Sequence, residues 1–368
     1  MSSKKLTRRI VAVSLLLCLT ASLAFAEDSQ PLAAPALEAS TPELPDLPAA
    51  GGLTRTQVRL VGGIPYLSLL GGIITTSLVP ANLVELSLAS FLLAGAIPHI
   101  VLDPLAGLSS VAISGLLSWT SLELHTRPGL YGDQSLTHLF QNLSLKTMMW
   151  SYYQGYATAR LAARPEAYSQ VFRPASLGEL LAAPYNPAVL RLPAVWLPAA
   201  LTSAAIIANN ILGGSDEAIW TTGKTFIGQT EVPLVVGLLA TTAIAMLNMG
   251  FTGIGEEALF RGIAYEEMKL SVGLWPARAL DAALFAAAHV PQEVIAESTL
   301  GNIALLFAFR SVVTLGLQWA YDTGGLPASV AQHVWIDIIS NLTSFLFSAG
   351  VADASAPAIN INLSFRLP

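Results

Sequence analysis

GFTGIGEEALFR, residues 250–261, sets two glutamates and an arginine directly after a long apolar run. The run itself, 232–252, is close to the roughly 20 residues that a helix needs to cross a bilayer. Ionisable residues inside a membrane are costly to bury and by default mark a functional site. This stretch therefore predicts a membrane-spanning helix that leads into a buried polar site.

The composition of the whole chain agrees with a membrane setting. Of its 368 residues, 53% are hydrophobic and 11% are charged, whereas about 25% of a soluble domain is charged. Apolar stretches near spanning length recur at 60–79, 82–101, 104–122, 190–213, 232–252, 299–320 and 327–349. The prediction is an all-α, polytopic transmembrane helical bundle in a lipid bilayer, with shorter buried helices near 256–270 and 277–290.

The net charge of -6 is thinly spread, and no run of Lys or Arg occurs outside the N-terminus. Nucleic acid is therefore not a predicted partner.

The N-terminus has the features of a secretory signal peptide, predicted as 1–26. Basic residues precede an apolar core at 10–23, and Ala24-Phe25-Ala26 forms a cleavage site; an uncleaved anchor is the alternative. Residues 27–55 are rich in Pro and Ala and predict a disordered linker. The expected location is a bacterial plasma membrane, with the N-terminus exported.

The first polar motif carries the elements of acid–base chemistry. On a helix, Glu257 and Arg261 are four residues apart and can pair, while Glu256 points about 100° away. One carboxylate is then held, and the other is available to take a proton from water. The alternative is an ordinary ion pair that fastens two helices. A nearby pair, Glu266-Glu267, is expected to be a solvated helix end.

The second motif is Phe285-x-x-x-His289, which places the ring and the imidazole on one helix face. Pro291 follows, so His289 is expected at the C-terminus of its helix, where the carbonyl end favours a protonated imidazole. Taken alone, a histidine at a helix end is more often structural than catalytic.

The third motif, His333-x-x-x-Asp337, follows a Gly324-Gly325 turn and Pro327, which suits the first turn of a new helix. His333 and Asp337 lie one turn apart on one face. The carboxylate can orient the imidazole, bind a metal beside it or accept a structural hydrogen bond.

Together and in this order, the three motifs resemble those of the CAAX-processing and bacteriocin-processing (CPBP, Abi-type) intramembrane protease family. The resemblance covers roughly residues 190–350 and implies a protease core there. Residues 56–189 are then an N-terminal membrane region of unknown role, and 351–368 are a C-terminal tail.

The family resemblance implies an endopeptidase that hydrolyses a peptide bond in a membrane-associated peptide or protein. It also implies that Glu256 and His289 activate the attacking water, and that Glu257 and Arg261 hold the motif in register. His333 with Asp337 would stabilise the oxyanion. Many family members have Asn at the position of Asp337; because an ionised Asp repels an oxyanion, Asp337 must be protonated, act through His333 or ligate a metal.

Metal use is left open by the sequence. In a zinc version, His289 and His333 hold the ion with a carboxylate such as Glu257 or Asp337, and Glu256 is the base. No His-Glu-x-x-His motif is present. A competing hypothesis is a catalytically inactive membrane scaffold or transporter-like protein, although no inverted repeat is visible. The identity of the substrate, including whether it is prenylated, is not predicted.

Overall fold

The computed structural model describes residues 52–76, 84–126, 134–164, 167–168, 172–213, 223–227, 230–290, 293 and 298–347. The predicted signal peptide, the linker up to residue 51 and the tail at 351–368 lie outside the described residues.

The described residues are almost entirely helical, as predicted. The α-helices are α1 (Arg55–Thr76), α2 (Val84–Leu102), α3 (Pro104–Thr126), α4 (Gln134–Leu161), α5 (Leu177–Ala182), α6 (Pro187–Leu190), α7 (Pro193–Gly213), α8 (Leu234–Leu259), α9 (Glu266–Val272), α10 (Leu274–Ala288) and α11 (Leu300–Phe347). A 3₁₀ turn occupies Ala183–Tyr185, and a π-helical segment, Phe260–Tyr265, joins α8 to α9.

Three stretches of the described chain are long and apolar enough to cross a membrane: Pro104–Leu124, Leu234–Val272 and Leu300–Phe347. Two shorter apolar helices are Leu92–Leu102 and Pro193–Ala208. Each of the seven predicted apolar stretches coincides for most of its length with a helix. The protein is therefore an integral membrane protein with several helices of spanning character.

A small β-hairpin was not predicted by the sequence pattern. Strands β1 (Lys224–Ile227) and β2 (Thr230–Pro233) pair in antiparallel register just before α8. Lys224 donates a hydrogen bond of 2.7 Å to Glu231 across the pair, and both side chains are largely exposed. The hairpin is thus a short polar element that leads into the helix carrying the first motif.

The chain divides into two compact units, each made of three stretches. The first comprises the residues up to Ser109 together with Ser151–Pro174 and Leu259–Ala296. The second comprises Ser110–Trp150, Ala175–Ala258 and the residues from Glu297 onward.

Inside the first unit, α1 packs along α2 and α9 packs on α10. Close approach is permitted by Gly62 in α1, where a Cβ would lie 2.9 Å from Cγ2 of Ile263 and 3.1 Å from the ring of Tyr156. The small residue therefore lets elements distant in sequence pack tightly within this unit.

Inside the second unit, α7 packs along α11, and a small apolar core includes Val195, Ala320 and Ala328. The predicted break in α11 is confirmed. Gly325 has φ of 68°, a conformation that suits glycine and interrupts the helix two residues before Pro327. The segment that follows the break carries the third motif.

Candidate functional site

Two glycines let neighbouring helices approach the glutamates of α8 in the second unit. A Cβ on Gly255 would lie 3.0 Å from Cα of Lys146 on α4, and one on Gly253 would lie 2.7 Å from Cγ2 of Val334 on α11. A larger side chain would force these helices apart. The glycines that precede the glutamates thus serve close packing beside the site.

Glu257 is fully buried, and both of its oxygens are held by α11. Nδ1 of His333 lies 2.6 Å from Oε1 of Glu257, and the hydroxyl of Ser329 donates to Oε2. Because a carboxylate only accepts hydrogen bonds, Nδ1 of His333 carries the proton in this contact. Glu257 therefore fixes the orientation of the imidazole.

The other face of His333 meets two further carboxylates. Its Nε2 lies 3.4 Å from Oδ2 of Asp337 and 3.8 Å from Oε2 of Glu256. The remaining oxygen of Glu256, Oε1, accepts a 2.5 Å hydrogen bond from Nζ of Lys146. All four side chains are buried.

We call Glu256, Glu257, His333, Asp337 and Lys146 the Glu256 cluster. Its three carboxylates carry up to three negative charges, against one ammonium and one imidazole. Even with His333 protonated the cluster has an excess of acid groups, and such a group of buried acids favours the sharing of protons. The arrangement is chemically suited to taking up and releasing a proton.

The structure thus brings together four of the six residues predicted from the motifs: Glu256, Glu257, His333 and Asp337. Lys146 and Ser329 were missed. Ser329 has no distinctive sequence signal. Lys146 has one, because it is a single lysine in an apolar and aromatic part of α4. A charge of this kind is a candidate for function when it is buried.

Arg261 and the second motif are packed together in the first unit. The guanidinium of Arg261 lies 4.6 Å from the ring centroid of Phe285, and its Nε is 3.7 Å from Oδ2 of Asp281. The ring of Phe285 is 4.7 Å from that of His289. Arg261 and Asp281 are both fully buried, so the ion pair anchors α10 to the π-helical segment.

His289 caps the C-terminus of α10, as the sequence predicted. Its Nδ1 lies 2.8 Å from the carbonyl oxygen of Phe285. A carbonyl accepts, so Nδ1 carries the hydrogen, and in the neutral ring Nε2 is the nitrogen that takes up a proton.

The predicted pairing of Glu257 with Arg261 stays a prediction, since the contacts described above are those that each residue makes within its own unit. The helix changes to π geometry at Phe260, between the two. Within their own units, Glu257 contacts α11 and Arg261 contacts α10.

Among the described residues, no three His, Cys, Asp or Glu side chains are arranged to hold a metal ion. His333 directs Nδ1 at Glu257, and its Nε2 faces carboxylates at the distances given above.

The burial of Glu267 corrects one prediction. Glu267 was expected to be solvated, but it is 1% exposed. The hydroxyls of Tyr156 and Tyr168 donate to its Oε1 at 2.6 and 2.9 Å, and Nε of Arg59 lies 3.4 Å from Oε2. Arg160 approaches Oε1 at 4.0 Å. Because these partners lie far from Glu267 in the sequence, the local sequence pattern could not predict its burial.

We call Glu267 and these four partners the Glu267 cluster; it lies wholly in the first unit. Burial raises the pKa of Tyr156 well above its ordinary value, and the neighbouring Glu267 carboxylate raises it further. Burial and Glu267 act on the pKa of Tyr168 in the same direction. Both phenols therefore remain hydrogen-bond donors to Glu267 at neutral pH.

The fold and the Glu256 cluster define an integral membrane protein with a buried group of acids and a histidine. Residues 237–339 match the family model described as Rce1-like, type II CAAX prenyl endopeptidase Rce1-like. The match confirms the family resemblance for these residues. The curated proteins and the solved structures gave no match.

Proposed function

We propose that this protein is an intramembrane endopeptidase that hydrolyses a peptide bond in a membrane-associated peptide or protein. The observation that carries the proposal is the Glu256 cluster. Its two glutamates, His333 and Asp337 lie within the segment that matches the CAAX endopeptidase family. Buried acids next to an imidazole provide what hydrolysis needs, a base for water and a group that returns the proton.

Glu256 is the proposed general base. Its Oε2 is 3.8 Å from Nε2 of His333, which is longer than a direct hydrogen bond and leaves room for a water that contacts both atoms. Glu256 takes one proton from that water while the oxygen of the water attacks the carbon of the scissile carbonyl group. When the C–N bond of the tetrahedral intermediate breaks, the same carboxyl group gives that proton to the leaving amine, so the base is restored.

Glu257 acts through His333. Ser329 and His333 occupy its two oxygens, so it holds the imidazole in place. A protonated His333 would direct Nε2–H toward the oxyanion of the tetrahedral intermediate, where a positioned donor stabilises developing charge. Asp337, 3.4 Å from the same nitrogen, then acts by supporting the protonated imidazole.

The roles of His289 and Arg261 rest on the family resemblance. His289 would share in activating the water, since its neutral ring accepts a proton at Nε2. Arg261 would keep the motif in register through its buried contacts with Asp281 and Phe285.

The proposed reaction uses no metal, and the zinc version is its alternative. The proposed substrate is a peptide or a segment of a membrane protein, and the lipid bilayer is the setting. The proposed location is the plasma membrane of a bacterium, with an exported N-terminus.

The experiment that tests the function compares the terminal peptides of membrane proteins by mass spectrometry. Cells express the unaltered chain, the double variant Glu256→Ala with His289→Ala, or the control Glu266→Gln, all at matched levels. Glu266 is a suitable control because it follows Glu256 closely in the chain. Its side chain is partly exposed and pairs with Lys269 at 2.9 Å.

Protein termini that appear with the unaltered chain and with Glu266→Gln, but not with the double variant, would support proteolysis and name the substrate. Identical terminal peptides in all three strains would contradict it. If the double variant also kept the cellular phenotype of the unaltered chain, the scaffold hypothesis would replace the protease.

A further inference from the structure

Lys146 contributes a charge to the Glu256 cluster from outside the family-matching segment. It lies on α4, in the region to which the sequence assigned no role, whereas the match begins at residue 237. Its Nζ donates a 2.5 Å hydrogen bond to Oε1 of Glu256, and only 6% of the residue is exposed.

We propose that Lys146 is a positioning residue that holds the Glu256 carboxylate ionised and oriented for its reaction with water. This inference rests on the proposed function, since it assigns a task to Glu256. It also gives the N-terminal membrane region a part in the site.

The charges around Glu256 support this role. Lys146 on α4 and His333 on α11 contact Glu256, and His333 in turn contacts Asp337 on α11 and Glu257 on α8. Without Lys146, Glu256 would lose the ammonium that contacts its Oε1 and would remain buried beside two other carboxylates. Burial and like charges both favour the protonated acid, and a protonated acid cannot accept a proton from water.

The geometry supports the positioning part of the role. The ammonium holds Oε1, so Oε2 is the oxygen turned toward His333. Gly255 allows this contact, because a Cβ there would lie 3.0 Å from Cα of Lys146. A glycine directly before Glu256 therefore lets the helix that carries Lys146 pack closely against α8.

An alternative is that Lys146 only fastens α4 to α8, as a buried ion pair can. The two roles predict different results for an arginine at position 146 and a different protonation state of Glu256 when the lysine is removed. An arginine keeps the charge, whereas methionine keeps the length and apolar packing and removes the charge.

The test uses the full chain in lipid nanodiscs, with Lys146→Met, Lys146→Arg and the double variant Lys146→Met with Glu256→Gln. Lys224→Met is the matched control, since Lys224 forms a Lys–Glu pair of 2.7 Å that is exposed. Infrared difference spectra, recorded as the pH is changed, detect protonated carboxyl groups directly. Cleavage is measured in membranes as the yield of the new termini found in the first experiment.

We expect Lys146→Met to show, at neutral pH, an additional protonated carboxyl band that is not present in the unaltered chain, in Lys224→Met or in the double variant. We expect Lys146→Met to lower cleavage by about 100-fold, at the lower end of what loss of a general base costs. The acid side of its pH–rate profile should move to higher pH, and Lys146→Arg should recover part of the rate.

A Lys146→Met chain with no new band and full cleavage would overturn the proposal. Equal loss of cleavage in Lys146→Met and Lys146→Arg, with no new band, would indicate a purely structural role and also overturn it. If Lys146→Met does not fold, the double variant removes both members of the pair; folding of that variant, with Lys146→Arg still active, would support the proposal.

If the unaltered chain produces no termini, the proposed function fails. The infrared comparison still decides whether Lys146 keeps Glu256 ionised, so the two failures are distinguishable.

Discussion

The Glu256 cluster and the Glu267 cluster are both built around buried glutamates, but their charge balance is opposite. Glu267 is one carboxylate among two phenols and two guanidinium groups. The Glu256 cluster has three carboxylates for one ammonium and one imidazole. A short stretch of the same helical run therefore carries two kinds of buried acid.

The difference bears on what each acid can do. A carboxylate surrounded by donors and cations is stabilised in one ionisation state and fixes the helices around it. Carboxylates that lie close to one another and to an imidazole titrate as a coupled group, so protons are shared among the members. Burial alone thus does not indicate catalysis, and the proposed function rests on the close grouping of acids around His333.

Glu256→Gln should have the largest effect on cleavage of all the variants that test this difference between the clusters. The amide keeps the size of the side chain but cannot take a proton from water, so we expect cleavage to fall by about 10²–10⁴-fold, the contribution of a general base. The measurement is the yield of the new termini in membranes, and the thermal unfolding of the purified chain checks its fold. A variant that cleaves at the normal rate would show that Glu256 is not the base.

Glu267→Ala should act on stability and leave the chemistry intact. It would leave Arg59 and Arg160 buried without their carboxylate, and breaking a buried pair in this way costs about 3–5 kcal/mol. The free energy of unfolding in detergent measures the loss. Glu266→Ala, at a partly exposed pair, is the control and should cost less than about 1 kcal/mol.

For molecules that remain folded, cleavage per molecule should stay near normal in Glu267→Ala. If cleavage were abolished while the fold was kept, the Glu267 cluster would belong to the active site and the contrast would not hold.

Much of the fold could be predicted from the sequence, since apolar stretches of spanning length are a strong local signal. The break at Gly324-Gly325 was predicted for the same reason, because glycine followed by proline has local conformational consequences. The π segment at Phe260–Tyr265 was not predicted. It leaves no composition signal and depends on packing.

For the site, the motifs named four residues that meet in the second unit, and spacing placed His333 and Asp337 on one face. Lys146 was missed, because its contact with Glu256 joins residues 110 positions apart. Glu267 was misjudged for the same reason, since Arg59 and Tyr156 reach it from elsewhere in the chain. Local patterns predict which residues share a helix face, but not which distant helix meets that face.

The tyrosines of the Glu267 cluster predict a smaller effect that depends on pH. Their pKa values are raised by burial and by Glu267, so the folded state holds these protons more tightly than the unfolded state. Their contribution to stability is complete below the ordinary tyrosine pKa of about 10 and is lost as the pH rises above it.

The measurement is the thermal unfolding temperature in detergent at about pH 8 and about pH 11, on either side of that value. Tyr156→Phe should cost about 1–3 kcal/mol at the lower pH, because it removes a hydrogen bond to a buried charge. It should also show a smaller loss of stability between the two pH values than the unaltered chain. An equal loss in both would mean that Tyr156 is not the group involved.

Metal removal should have the smallest effect, and it sharpens the contrast by testing how the Glu256 cluster works. If the acids act by proton transfer, dialysis against a strong zinc chelator should leave cleavage unchanged, because no step needs an ion. Zinc added afterwards should likewise not raise the rate. Cleavage that is lost on chelation and restored by zinc would instead favour the version in which His289 and His333 are ligands. The excess of carboxylates would then serve to bind a cation, and proton transfer among the acids would no longer explain the cluster.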